Sequence, residues 1–186
     1  MGFINLNEKT NNQSSLIPQG TYEMKILDVT GDASNSGHEN MKFEFLIRDD
    51  LDKVPNLKDT NAKAHGRHFF ARVWTAKDKK TGQDSGAYKQ ADLANIADAI
   101  GLTQEQVDKY INSKEDLMKA CKGKFIRIYV SLNENTYQGE TRKQNTTFTN
   151  SWKQTKFPPQ SAKSETKNPF EGNTGTEDLN DSDIPF

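Results

Sequence analysis

The chain has one cysteine, Cys121, in 186 residues. A lone thiol excludes an internal disulfide and a zinc site built from cysteines, and it fits a reducing, cytoplasmic compartment. No apolar run approaches the roughly 20 residues needed to cross a bilayer, so no membrane partner is expected. Met1–Leu6 lacks the charged-then-apolar pattern of a secretory signal, and Leu6 stands where a myristoylation signal has Ser or Thr. Gly31 and Gly37 are followed by no Gly-Lys-Ser/Thr, which excludes a phosphate-binding P-loop. His65 and His68 lie three apart with no third and fourth ligand evident, so no metal is expected. Asp, Glu and His are scattered without a nuclease or ligase constellation, and Cys121, on an apolar helical face, reads as core rather than nucleophile. The expectation is a protein that is not an enzyme and carries no cofactor.

What is present is an uneven charge. The net charge is −1, yet residues 1–170 sum to +4 and residues 171–186 to −5, the latter from Glu171, Glu177, Asp178, Asp181 and Asp183 with no Lys or Arg. A mildly basic body with an acidic tail points to a polyanionic partner such as nucleic acid.

The length fits one domain plus a tail: an arm over 1–17, a domain over 18–157, and a disordered linker and acidic tail over 158–186, rich in Ser, Thr, Asn, Gly and Pro. Tyr22, Met24 and Ile26 alternate with Glu23 and Lys25, after which the apolar positions shift to Leu27 and Val29, predicting a strand with a bulge. A hairpin loop is expected over 31–40, then a strand with Met41, Phe43, Phe45 and Ile47 on one face and Lys42, Glu44 and Arg48 on the other. Residues 49–65 read as a polar insertion, 66–75 as a third strand and 77–86 as a loop. The period then becomes helical: Leu93, Ile96, Ala97 and Ile100 share a face that stops at Gly101, Thr103 with Gln106 forms a capping box, and Ser113 with Asp116 opens a third helix. A fourth strand follows over 124–132, a polar turn over 133–145 and a last strand over 146–153. Three strands, a helical segment and two strands is the element order of an OB-fold, a mainly β, five-stranded Greek-key barrel with helices between strands 3 and 4.

Binding single-stranded nucleic acid without reading its sequence requires cations that track phosphates and flat rings that stack on bases. The third strand sets His68, Phe70, Arg72 and Trp74 on one face, and the fourth sets Phe125, Arg127 and Tyr129 opposite an apolar Ile126, Ile128, Val130, Leu132 face. Trp152 and Lys153, with Phe148 and Lys156, form a third group, and Arg142 and Lys143 sit in the turn between strands 4 and 5. The alternative for the aromatics is packing on a half-buried outer face. Trp152 equally suits closing the barrel, and Arg142 and Lys143 equally suit a solvated turn.

The chain ends Asp181-Ser182-Asp183-Ile184-Pro185-Phe186. Ile184 and Phe186 offer apolar anchors, Pro185 restricts the backbone, and Asp181 and Asp183 steer towards a basic rim. This tip resembles that of bacterial and phage single-stranded-DNA-binding proteins, which typically ends Asp-Asp-Asp-Ile-Pro-Phe; Ser182 replaces the middle acid. The resemblance implies an OB-fold that coats and protects single-stranded DNA in phage replication, recombination and repair, in the bacterial host cytoplasm if phage-encoded. It implies that the tip, Asp181, Asp183, Ile184, Pro185 and Phe186, recruits replication, recombination or repair proteins. The longer 49–65 insertion and the larger 86–121 helical segment depart from ordinary bacterial relatives, so their tetramer is not carried over; a homo-oligomer, a dimer, is the expectation. The alternatives are a phage protein-interaction adaptor and a strand-annealing recombination mediator.

Overall fold

A computed structural model describes residues 16–137 and 140–159. Its strands are β1 (Gly20–Ala33), β2 (Glu39–Ile47), β3 (His68–Lys77), β4 (Asp84–Tyr88), β5 (Phe125–Tyr137), β6 (Glu140–Thr146) and β7 (Lys153–Gln154). Its helices are the single-turn α1 (Asn61–Ala64), then α2 (Gln90–Ala99), α3 (Gln104–Tyr110) and α4 (Lys114–Cys121). The fold is mainly antiparallel β, in the order β4-β3-β2-β1-β5-β6, with β7 on the first residues of β5.

β1 is the organising strand. It pairs with β2 on one edge and β5 on the other, and its register slips between Ile26 and Asp28, where the shift of apolar positions predicts a bulge. One face of the sheet is continuous core: Tyr22, Met24 and Ile26 from β1, Met41, Phe43, Phe45 and Ile47 from β2, Phe69 and Val73 from β3, and Ile126, Ile128 and Val130 from β5. Ile96, Ala99 and Ile100 of the α2 region and Leu117 and Cys121 of α4 close over it. The Thr103 capping box and the Ser113 cap start α3 and α4 as their spacing predicts.

Four expectations are corrected. In place of the expected five-stranded Greek-key barrel there is an open sheet of seven strands among the described residues, with β4 and β6 as its ends. Helices α2, α3 and α4 follow β4 rather than strand 3, because Asp84–Tyr88 turns back and pairs with β3 instead of remaining loop. The polar turn over 133–145 is a two-stranded ribbon in which β5 and β6 pair from Ser131↔Thr146 to Tyr137↔Glu140. It carries no apolar alternation because from Leu132 to Thr136 and Thr141 to Gln144 every described side chain is exposed. The last strand breaks at a single 3-10 turn, Thr149–Ser151, leaving only Lys153–Gln154 as β7.

The 49–65 insertion is a plug. Leu51, Leu57 and Ala64 are buried, and the buried Asn61 accepts from the Glu23 N–H (3.0 Å) and donates to the carbonyls of Glu23 (2.8 Å) and Arg48 (3.1 Å). The arm is likewise tied down at its end: the Asn145 amide exchanges two hydrogen bonds with the Ile17 backbone, at 2.8 and 2.7 Å.

Trp152 is buried at 2% exposure, edge-on to Phe43 (5.0 Å) and Phe45 (5.4 Å), and its indole N–H donates to Thr147. Trp152→Ala is expected to destabilise the fold by about 3–5 kcal/mol, read by urea denaturation. Burial pushes the Cys121 thiol up to about 12, from 9.0. A folded-state pKa raised in this way contributes stability in full below about 9 that is lost as pH rises towards 12. The native protein should therefore resist a thiol reagent at pH 8 and react at one site per chain once denatured.

Candidate nucleic-acid interface

Burying alternate side chains of β2 and β3 turns the intervening ones outward. The register sets Lys42 opposite Arg72, Glu44 opposite Phe70, Leu46 opposite His68 and Asn40 opposite Trp74. Phe70 is 48% exposed and Trp74 38% exposed, two large rings on the outward side of β3. The Lys42 ammonium lies over the Phe70 ring, 5.3 Å from its centroid, so a cation of this chain already shares that ring face. Phe70, Arg72 and Trp74 of the predicted third-strand group thus come together, and Lys42 of β2 joins them.

His38 supports Trp74. Its ring lies 4.9 Å from the indole, and its Nε2 donates to the Thr75 carbonyl at 2.9 Å. Asp84 anchors the same corner, accepting from the N–H groups of Glu39 and Gly86 at 3.0 Å and lying 4.0 Å from His38. The Thr75 hydroxyl, then the Glu39 and Gly86 N–H groups, hold the Asp84 carboxyl down at about 2, below its usual 3.8. On β3's other end His68 meets Glu44 at 2.7 Å. Neither His38 nor Lys42 belongs to the β3 pattern; Lys42 was legible only as a polar residue of β2, and His38 lies in the β1–β2 connection.

The fourth-strand group divides. Phe125, Arg127 and Tyr129 lie opposite Lys25, Glu23 and Thr21 on β1. Phe125 is half-buried, with the Arg48 guanidinium 4.7 Å and the Lys25 ammonium 5.8 Å from its centroid, so its ring is already engaged by cations of this chain. Arg48, expected on the outer face, is only 3% exposed. It pairs with Asp50 and donates to Thr155 (3.4 Å) and the Phe157 carbonyl. Glu23 is 1% exposed and accepts from the Thr155 hydroxyl and the Lys156 N–H. Residues 155–157 are thereby strapped over the middle of the outer face. Beyond the strap, Tyr129 is 39% exposed, Arg127 faces Lys153 across the β5–β7 ladder, and Phe148 is 68% exposed, forming a second and smaller patch.

Trp152, buried edge-on against Phe43 and Phe45, presents no face to a base. Arg142 and Lys143 stand on β6 of the ribbon, both exposed, with Lys143 3.8 Å from Glu134. The tip residues Asp181, Asp183, Ile184, Pro185 and Phe186 lie outside the described residues. Among the described residues no cluster of three or more His, Cys, Asp or Glu could hold a metal ion, and no helix is long and apolar enough to cross a membrane.

Fold and face together define a mainly antiparallel β protein with a helical segment and an outward sheet face that mixes aromatic rings with cations. The chain belongs to the family described as "Protein of unknown function (DUF669)", which matches residues 4–169. No curated protein matches it. Among solved structures it is similar to yeast RPA bound to ssDNA, with 8% identity and a TM-score of 0.31 over 76% of this chain and 80% of that one.

The Asp84 carboxylate favours the folded state above its ordinary pKa of 3.8, and that contribution is lost as pH falls from about 4 through about 2. Asp84→Asn should therefore flatten the fall in stability across that acid window while lowering stability at pH 6, measured by urea denaturation at both pH values.

Proposed function

We propose that this protein binds single-stranded DNA on the outer face of β2 and β3. The observation that carries the reading is the exposed pair Phe70 and Trp74 on one strand face, with Lys42 and Arg72 paired across the ladder between them. Exposed rings on a sheet offer every base a stacking surface, and the flanking cations answer the phosphates, so the site binds strands and reads little sequence. Duplex DNA hides its bases in the stack and cannot use such platforms.

The finer reading is an OB-type domain. β1, β2, β3, β5 and β6 correspond to its five strands in order, and β4 and β7 are additions; single strands dock on the strand 2–3 face of such domains. On this reading the protein is not an enzyme. It coats single-stranded DNA in replication, recombination and repair, phage-encoded and working in the bacterial host cytoplasm as a homo-oligomer. Asp181, Asp183, Ile184, Pro185 and Phe186 form its docking tip for partner enzymes.

Titration of fluorescent oligo-dT at two salt concentrations, beside a duplex of equal length, tests it. Tight dT binding, weak duplex binding and a slope of about −0.7 per neutralised phosphate are expected. Phe70→Ala and Trp74→Ala should each lower dT affinity by about 1–3 kcal/mol, roughly 5- to 150-fold. Because Trp152 is buried, fluorescence quenching by dT should vanish in Trp74→Phe. Absence of dT binding at both salts would overturn the reading and leave Phe70 and Trp74 as a protein-docking face, the adaptor alternative.

A further inference from the structure

Strands on a sheet face can run across the strands or along one of them, and here the charges decide. Crossing from β3 over β2 to β1, the Arg72–Lys42 row ends at Thr30, while the rows on either side lead a polyanion past Glu44 to Asp28 and past Asn40 to Asp32. Asp32 already draws on Arg72 at 3.8 Å, and further along β1 and β2 the 155–157 strap covers Glu23 and Arg48. That route runs into carboxylates on either side of Lys42.

Along β3 the surface is different. Phe70, Arg72 and Trp74 follow one another on one side, the two rings about 13 Å apart at roughly 3.3 Å per residue. About 10 Å beyond Trp74, at roughly 3.3 Å per residue, β3 ends at Lys77, and the turn that joins it to β4 carries Lys79 and Lys80, all three exposed. None of the three ammonium groups has an ion-pair partner among the described residues.

The turn is built rather than loose. The Asp78 carboxylate accepts from the N–H groups of Lys80 and Thr81 (both 2.8 Å) and from the Thr81 hydroxyl (3.1 Å). Asp78 N–H donates to the Gln83 carbonyl, Gly82 N–H returns to the Asp78 carbonyl, and Gly82 supplies the positive φ of 71° that closes the loop. Asp84, at the base of the hairpin, is likewise held by backbone N–H groups of Glu39 and Gly86. Both acids of the hairpin are thus committed to shaping it, while its three lysines are left to solvent.

We infer that the β3–β4 turn is a phosphate clamp, and that single-stranded DNA runs along β3 from Phe70 past Trp74 into the grip of Lys77, Lys79 and Lys80. The inference rests on the β2–β3 face being the strand-binding face. It assigns the turn the task of holding the backbone while the rings hold the bases, so the lysines contribute chiefly to salt-dependent affinity and the rings to the remainder.

The test is a salt titration of full-length protein carrying Lys77→Gln, Lys79→Gln and Lys80→Gln together, against dT4 and dT16. On dT16 the salt slope should become shallower by about 2, from three phosphates at about 0.7 each, and affinity at low salt should fall about 10-fold or more. On dT4, too short to engage rings and turn together, the variant and the wild type should converge. Replacement of the same three lysines by arginine should restore the wild-type slope, and Asp78→Ala, which keeps the lysines but releases the turn, should lose affinity on dT16 with intact Trp74 quenching on dT4. Wild-type protein that binds dT16 with a slope and affinity unchanged by the triple Gln replacement would overturn the clamp and leave the β2–β3 reading standing. Wild-type protein that binds neither oligonucleotide would overturn both.

Discussion

The structure depends on the two-residue period of its central sheet. β1 is hydrogen-bonded on both edges, to β2 and to β5, so its alternation is imposed on its neighbours and one face of four adjacent strands becomes a single apolar surface. Once Phe43, Phe45, Phe69 and Val73 face inward, Lys42, Phe70, Arg72 and Trp74 have no choice but to face outward. A slip of one residue in β3 would bury Arg72 and Trp74 and expose Phe69, exchanging the core for the site. The register that holds the protein together is the register that presents its rings.

That outward face is then partitioned by polar links with no counterpart in the core. Arg48 and Glu23 are buried on the outer side because Asp50, Thr155, Lys156 and Phe157 supply their hydrogen bonds. Buried charges persist where every polar atom finds a partner, and here those partners come from the 49–65 insertion and from the segment after β7. The strap separates the Phe70–Trp74 platform from the Tyr129–Phe148 patch and takes Phe125 out of use by laying Arg48 on its ring. The larger open platform is left on β2 and β3, continuous with the lysine turn.

The Asp residues near that platform differ in what they do. Asp78 and Asp84 are held by backbone N–H groups and shape a hairpin, so their negative charge is set against local donors. Asp28 and Asp32 lie towards β1, where Lys122 and Arg72 partly offset them. Charge of one sign therefore lines the sheet on the β1 side of the platform and charge of the other sign gathers at the β3–β4 turn, although the whole chain is nearly neutral.

Alternation alone determined most strands, their inward faces and the bulge in β1, because a half-buried strand writes its geometry as period two. Caps determined α3 and α4, since Thr103 and Ser113 act within three residues of themselves. Phe70, Arg72 and Trp74 were legible as an outward set for the same local reason. What tertiary structure decided is everything that joins distant segments. Asp84–Tyr88 is too short and too polar to read as a strand until β3 lies beside it; the β5–β6 ribbon is exposed on both sides and so carries no alternation. Trp152 is sent inward by two phenyl rings more than 100 residues earlier in the chain, and Phe125 is covered by an arginine nearly 80 residues away. A side chain's own neighbours in sequence set which way it points, but only the packed fold sets what it meets there.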